Sequence, residues 1–291
     1  MYFKKNLGYV EIINKIIEIY FNSKLEKVEK LSGGSINEVY LCHLSNNKIV
    51  IKINDKELYP KMFEKEKEGL NLIRKCGFKT PEVIGAGFYD SYSYLAIEYV
   101  KSGKELNWKV FGIELALLHL NQNDKFGLEY DNYIGSLNQT NSFEDNWKDF
   151  YTQRRILPLA KIAIDKQLIE KKDNKKIENL CSKLDKLVPN CKPSLIHGDL
   201  WSGNLIYDQQ NNPVLIDPAV YYGHPEMDWA MLSLFGAYPE VAIRSYCELN
   251  YLEKGFRDRQ EIHQLYPILV HLILFGKSYY SQLKTIINKF Y

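Results

Sequence analysis

The stretch His197-Gly198-Asp199-Leu200-Trp201-Ser202-Gly203-Asn204, followed by Asp217 at the end of an apolar run, constrains this chain more than any other feature. It spaces a carboxylate, an amide oxygen and a second carboxylate along one short segment. Between Asn204 and Asp217, the residues Leu205 to Ile216 read as two short strands around the polar turn Asp208-Gln209-Gln210-Asn211-Asn212. A hairpin of that length returns Asp217 to the side of Asn204, so both reach one place. The bland alternative is a solvent turn, because Asp, Asn and Gly are ordinary turn formers. A plain turn does not account for the hairpin or for the acid at its far end.

Such a set suits phosphoryl transfer. That reaction asks little covalent chemistry of a protein. It needs a carboxylate to orient and deprotonate a hydroxyl, and oxygen ligands to hold magnesium on the phosphates. The spacing D-x-x-x-x-N with a later Asp is the arrangement used by protein kinases.

The first third of the chain offers a matching half. Three β-like runs span residues 25–54, and the turn Gly33-Gly34-Ser35-Ile36-Asn37 lies between the first two. Paired glycines let backbone N–H groups approach phosphate oxygens, although a simple hairpin turn uses the same residues. Lys52 interrupts the apolar run Ile49-Val50-Ile51-Lys52-Ile53, where an unpaired charge is costly. It is either a snorkelling lysine on an edge strand or a phosphate-holding lysine paired to a helix glutamate. Residues 59–75 fit that helix. Phe63, Glu66, Leu70 and Ile73 share one face, which makes Glu66 the inward acid, while Glu64 and Glu68 fall on a solvated face. Gly77 and Pro81 end the helix. A strand ending in Ile97-Glu98-Tyr99-Val100 then leads into the polar linker Lys101-Ser102-Gly103-Lys104. Backbone groups of Glu98, Tyr99 and Val100 are the expected seat of an adenine.

Beyond residue 105 the pattern turns helical. Leu106 to Leu120 and residues 173–188 are amphipathic, and Ser142-Phe143-Glu144-Asp145 reads as a capping box opening a long helix. Helices are expected to resume at Glu226, with breaks near Pro239 and Pro267. The expected architecture is α+β and bilobal: a small β-rich N-lobe over residues 1–100 and a larger helical C-lobe over residues 101–291, with the site in the cleft.

Composition narrows the partners. The formal net charge is +2 with well-mixed signs, which supports neither a nucleic-acid nor a membrane surface. Five scattered cysteines without a C-x-x-C pair point to reduced thiols in a cytoplasmic protein. The first twenty residues are amphipathic but charged, unlike a signal peptide.

Taken together, Gly33-Gly34-Ser35-Ile36-Asn37, Met62-Phe63-Glu64, the block 197–204 and Asp217-Pro218-Ala219 resemble the fructosamine-3-kinase (ketosamine-3-kinase) family. That family belongs to the protein-kinase-like superfamily, with aminoglycoside and choline kinases. Asp131-Asn132-Tyr133-Ile134-Gly135, Trp147-Lys148-Asp149-Phe150 with Arg154 and Arg155, and Tyr222-Gly223-His224-Pro225-Glu226-Met227-Asp228 extend the likeness over nearly the whole chain.

The resemblance implies ATP- and Mg2+-dependent phosphorylation of the 3-hydroxyl of a ketosamine, either a small molecule or a glycated lysine side chain, and hence deglycation. It implies Asp199 as catalytic base, Asn204 and Asp217 as magnesium ligands, and Lys52 with Glu66 as the phosphate-holding pair. Trp201 is then a wall of the sugar site, or else a core tryptophan beneath the loop. His224 and Glu226 line the acceptor side, or brace the loop as Asp228 is expected to do. His197 and His119 are expected to be structural. Some relatives carry Cys where Ser35 stands and use it for redox-sensitive dimerisation. Ser35 cannot form that disulfide, and a monomer or weak homodimer is expected. The competing readings are an aminoglycoside, choline or sugar kinase of the same superfamily, and a nucleotide-binding regulator without turnover.

Overall fold

The computed structural model describes residues 2–31 and 36–290, with side chains from Gly8 onward. Gly33, Gly34 and Ser35, expected at the phosphate turn, lie outside the described residues. Helix α1 (Tyr2–Phe21) precedes an antiparallel sheet built from β1 (Leu25–Lys30), β2 (Glu38–Leu44), β3 (Lys48–Asp55), β4 (Val83–Tyr89) and β5 (Tyr92–Glu98). The strand order is β1-β2-β3-β5-β4, with helix α2 (Met62–Lys75) inserted between β3 and β4.

Alternation along β3 divides its side chains between two layers. Ile49, Ile51 and Ile53 face α1 and pack with Ile13, Ile16 and Ile17. Val50 faces α2 and packs with Phe63 and Leu70. Lys52 is in phase with Val50, so it points at α2. Because β3 is a central strand, Lys52 is not an edge lysine. Helix α2 starts at Met62, later than expected, because Lys61 adopts a left-handed conformation at φ 60°.

The rest of the chain is mainly helical: α3 (Trp108–His119), α4 (Trp147–Phe150), a π-helical turn Tyr151–Ile156, α5 (Leu157–Asp165), α6 (Lys171–Ser182), α7 (Leu184–Leu187), α8 (Glu226–Leu234), α9 (Glu240–Cys247), α10 (Gln260–Phe275) and α11 (Tyr280–Lys289). Three two-stranded pieces interrupt it: β6 (Asn132–Ile134) with β7 (Leu137–Gln139), β8 (Ser194–Ile196) with β11 (Tyr221–Gly223), and β9 (Leu205–Tyr207) with β10 (Pro213–Leu215). The last pair is the hairpin expected between Asn204 and Asp217. No helix among the described residues is long and apolar enough to cross a membrane.

Two expected boundaries are corrected. Residues 142–145 do not open a helix, because Glu144 exchanges backbone hydrogen bonds with Phe126 in an extended bridge. Asn146 is the cap instead, and its side chain accepts the Asp149 N–H at 2.9 Å. Pro267 does not break α10. A proline leaves the carbonyl four residues earlier without its helical donor. The buried Tyr151 hydroxyl donates to that His263 carbonyl at 3.1 Å and to the Ile262 carbonyl at 2.7 Å, so the gap is filled from α10's neighbour.

Candidate active site

Lys52 is buried, with its side chain only 5% exposed, and bonds Glu66 of α2 at 2.5 Å and the Asp217 carboxylate. Strand alternation and the helix face thus meet at one ion pair. Burial alone would push the Lys52 ammonium down; the carboxylates of Asp217 and Glu66 overcome this and hold it above its ordinary range. Burial raises the Glu66 carboxyl, with Lys52 opposing. Close approach of α2 to the metal-side loop depends on Gly69, where a Cβ would lie 3.1 Å from the Pro218 ring. Asp217 itself is left-handed at φ 55° and 45% exposed at its side chain, so it is held in a costly backbone state facing open space.

The loop carrying Asp199 leaves β8 through Gly198, at φ 80°. A Cβ there would sit 2.2 Å from the Ala219 carbonyl oxygen, which makes glycine necessary. His197 donates from Nε2 to the Ile216 carbonyl at 3.0 Å, and its Nδ1 accepts the Asp199 N–H at 3.3 Å. Burial holds this imidazole below its usual range although Asp228 opposes that shift. It is therefore a neutral fastener. Asp228 accepts the N–H groups of His197 and Gly198, and its other neighbour is the buried His119.

Asn204 closes the loop. Its Nδ2 donates to the Asp199 carbonyl at 2.9 Å and to Asp199 Oδ2 at 3.0 Å. That leaves Asn204 Oδ1 and Asp199 Oδ1 without protein partners among the described residues. Burial, then the nearby Asp217 charge, raise the Asp199 carboxyl well above the ordinary carboxylate range. Asn204 Oδ1 and the Asp217 carboxylate are two hard oxygen donors on one cavity, a donor set that fits magnesium, which retains waters and phosphate oxygens for its remaining positions.

That cavity has a volume of about 150 Å³ and is lined by Asn37, Lys52, Glu66, Asp199, Trp201, Asn204 and Asp217, together with Asn132 and Tyr133. A second cavity of about 330 Å³ adjoins it, walled by Trp201, Phe235, His271, Phe275 and Tyr279. Its rings meet at centroid distances of 4.7 Å for Phe235–His271 and 5.1 Å for His271–Tyr279. Asp199 and Trp201 line both cavities.

Seven of the expected site residues thus come together on the cavity, Asn37, Lys52, Glu66, Asp199, Trp201, Asn204 and Asp217, while Asp228 binds the His197 and Gly198 N–H groups at the entry of the Asp199 loop. Others do not. Glu98, Tyr99 and Val100 do not line the cavity, and the Glu98 N–H donates to the Glu82 carbonyl at 2.9 Å because strand pairing continues to that residue. His224 and Glu226 are corrected as acceptor-lining residues. Both are buried, and neither lines either cavity. Both Glu226 oxygens are taken by Arg259 at 2.8 and 2.5 Å. His224 Nδ1 accepts the Glu226 N–H, and its ring lies 4.8 Å from His263. The Glu226–Arg259 pair braces the start of α8. Sequence reasoning missed Asn132 and the rings at 235, 271, 275 and 279. A helix-face reading of α10 assigns such residues to a core, and nothing local marks them as a cavity wall.

The fructosamine kinase family model matches residues 10–291. A probable ketoamine kinase from Enterococcus faecium is 35% identical over 266 residues, covering 91% of this chain and 95% of that protein. A chloroplastic protein-ribulosamine 3-kinase from Arabidopsis thaliana is 32% identical over 276 residues, covering 92% and 83%. A crystal structure from Haemophilus somnus, provisionally assigned as a fructosamine-3-kinase, superposes with a TM-score of 0.87 at 30% identity over 96% of this chain and 97% of that one. The aminoglycoside phosphotransferase APH(4)-Ia shares the protein-kinase-like fold alone, with a TM-score of 0.62 at 15% identity over 96% and 98%.

Proposed function

The chain belongs to the fructosamine kinase family and is an ATP-dependent phosphotransferase, and we propose that it phosphorylates the 3-hydroxyl of ketosamines, with Asp199 as the base. One observation carries this reading. Asp199 and Trp201 form the shared wall between a polar cavity holding Lys52, Asn204 and Asp217 and a ring-lined cavity on the other side. A base at that junction meets a hydroxyl arriving from one side and a phosphate from the other.

In this reading, residues 1–100 cover the nucleotide and residues 101–291 carry the acceptor. Lys52, oriented by Glu66, pairs with α- and β-phosphate oxygens, and the adenine end lies toward Tyr99 and Val100. Asn204 and Asp217 hold magnesium, which neutralises charge on the phosphates when bound. Asp199 takes the proton of the acceptor hydroxyl as its oxygen bonds to the γ-phosphorus and ADP leaves. The Trp201 ring, 6.2 Å from Phe235 and edge-on to it, offers the sugar a face. A phosphate on the 3-hydroxyl labilises the adduct and frees the amine, so the biological outcome is deglycation.

The test is ADP release with a panel of fructosamine, ribulosamine, erythrulosamine, kanamycin and choline. A ketosamine is expected to be the best acceptor. Trp201→Ala is expected to raise its KM while leaving that of ATP nearly unchanged. Kanamycin or choline as the best substrate would leave only the generic kinase reading standing.

A further inference from the structure

Lys52 holds the Asp217 side chain, but the left-handed backbone of Asp217 needs a support that this contact does not supply. A left-handed aspartate persists only where its surroundings over-determine it. On its N-terminal side, the Ile216 N–H donates to the Asn204 carbonyl, and the Ile216 carbonyl accepts from His197. On its C-terminal side lies a buried polar chain that the catalytic reading has not used. Gln139 Nε2 donates to the Ala219 carbonyl at 3.1 Å, and Asn132 Nδ2 donates to the Val220 carbonyl at 2.9 Å. These two side chains are joined to each other, with Gln139 Nε2 to Asn132 Oδ1 at 2.7 Å.

The chain is anchored at both ends. The Tyr266 hydroxyl donates to Gln139 Oε1 at 2.6 Å. Asn141 Nδ2 donates to Asn132 Oδ1 at 2.9 Å, and Asn141 Oδ1 accepts from Arg155 at 2.6 Å. Arg155, Asn141, Gln139 and Asn132 are all buried. Buried polar chains of this kind are costly unless complete, and when complete they fix one arrangement. The carbonyls they hold follow Asp217 by two and three residues. Asn132 also reaches the wall of the cavity that Asp217 faces.

We propose that Asn132 and Gln139 are positioning residues for Asp217: by holding the Ala219 and Val220 carbonyls they keep the Asp217 carboxylate turned into the cavity for the metal. The proposal rests on Asp217 being a magnesium ligand. It assigns a task to the segment 131–141, which neither the base nor the phosphate-holding pair explains.

The experiment measures Mn2+ binding in the presence of ADP by electron paramagnetic resonance, alongside turnover against Mg2+ concentration. Gln139→Met removes the donor to Ala219 at nearly constant volume. It is expected to weaken Mn2+ binding about tenfold and to shift the Mg2+ requirement upward by a similar factor, with the acceptor KM unchanged within twofold. Ile177→Val, a buried core position of α6 that lines neither cavity, serves as a control at comparable loss of Tm. It is expected to leave Mn2+ binding unaltered. If Gln139→Met does not fold, Tyr266→Phe, which removes only the hydroxyl on Gln139 Oε1, is expected to show the same shift at two- to fivefold. Unchanged Mn2+ binding in the folded variant, or an equal change in the Ile177→Val control, overturns the proposal. Unchanged Mn2+ binding in Asp217→Ala overturns the metal-ligand reading itself, and this proposal with it.

Discussion

Asp228 holds His197 by its backbone: Oδ2 accepts the His197 N–H at 2.8 Å while Oδ1 accepts the adjacent Gly198 N–H at 3.0 Å. Two successive donors at the entry of the Asp199 loop thus meet one carboxylate. That carboxylate is itself fixed by His119, whose Nε2 lies 3.2 Å away and whose Nδ1 accepts the Tyr246 hydroxyl at 2.9 Å. His119, His197, Asp228 and Tyr246 are buried, and Gly198 is partly so.

Asp228→Ala should therefore be among the most damaging substitutions outside the cavity. It strands two buried N–H groups, each costing about 1–3 kcal/mol. We expect a loss of roughly 2–4 kcal/mol in denaturant unfolding, together with a fall in kcat larger than any change in the KM for ATP. A variant with parental stability would show that the clamp is dispensable.

Asp199→Asn keeps the shape and the Asn204 contact region while removing the proton acceptor. Turnover is expected to drop by about 10²–10⁴-fold, the usual worth of a general base. Nucleotide affinity, read by calorimetry, is expected to survive. Turnover within threefold of the parent would remove Asp199 from the chemistry.

Lys52→Met tests the other wall. The buried ammonium now bridges Glu66 and Asp217, so its loss leaves two carboxylates facing each other without a counter-charge. The expected outcome is impaired turnover with weaker ATP binding. Wild-type kinetics for this variant would rule out a phosphate-holding role.

Glu114 carries a pH signature distant from the chemistry. Burial, with Asp208 adding to it, raises its carboxyl from 4.5 to about 7, and its Oε2 has no hydrogen-bond partner among the described residues. The folded state retains a proton that the unfolded chain has released, so stability falls as pH rises from about 4.5 to 7. The cost is fully present above that window. Glu114→Gln should stabilise the protein by about 1–2 kcal/mol at pH 8, after allowing for partial solvent screening, and by much less at pH 5. Equal effects at both pH values, compared by denaturant melts, would contradict the assignment.

Arg155 has no carboxylate partner among the described residues. It is fully buried, bonded to the Thr140 carbonyl and Asn141, with its guanidinium 4.0 Å from the Tyr221 ring centroid and 4.5 Å from that of Phe150. A planar, forked cation meets these demands and an ammonium does not. Arg155→Lys is expected to lower Tm by several degrees, as a loss of about 2–3 kcal/mol would. A Tm within one degree of the parent would show that charge alone suffices.

The sequence carried whatever depends on short spacing. D-x-x-x-x-N, the hairpin after it and the carboxylate at the hairpin's end are set within 19 positions of chain, and the β9–β10 pair appears where expected. Strand alternation put Lys52 on one face of β3, and helical periodicity put Glu66 on one face of α2. Each was legible alone because a backbone repeat of two or 3.6 residues decides where a side chain points.

Only the tertiary structure decided which of these faces meet. Lys52 and Asp217 are 165 positions apart, and His119 and Asp228 are 109 apart. The placement of His224 and Glu226 away from both cavities was illegible for the same reason. A polar residue's local pattern does not say whether a strand partner or a distant arginine will occupy its hydrogen-bonding groups. The aromatic cavity draws on residues 201, 235, 271, 275 and 279, and the Val220 and Ala219 carbonyls just past Asp217 are held from residues 132 and 139. Burial of polar groups and close packing are satisfied between elements, so their partners are chosen by the assembled fold and have no signature in any one segment.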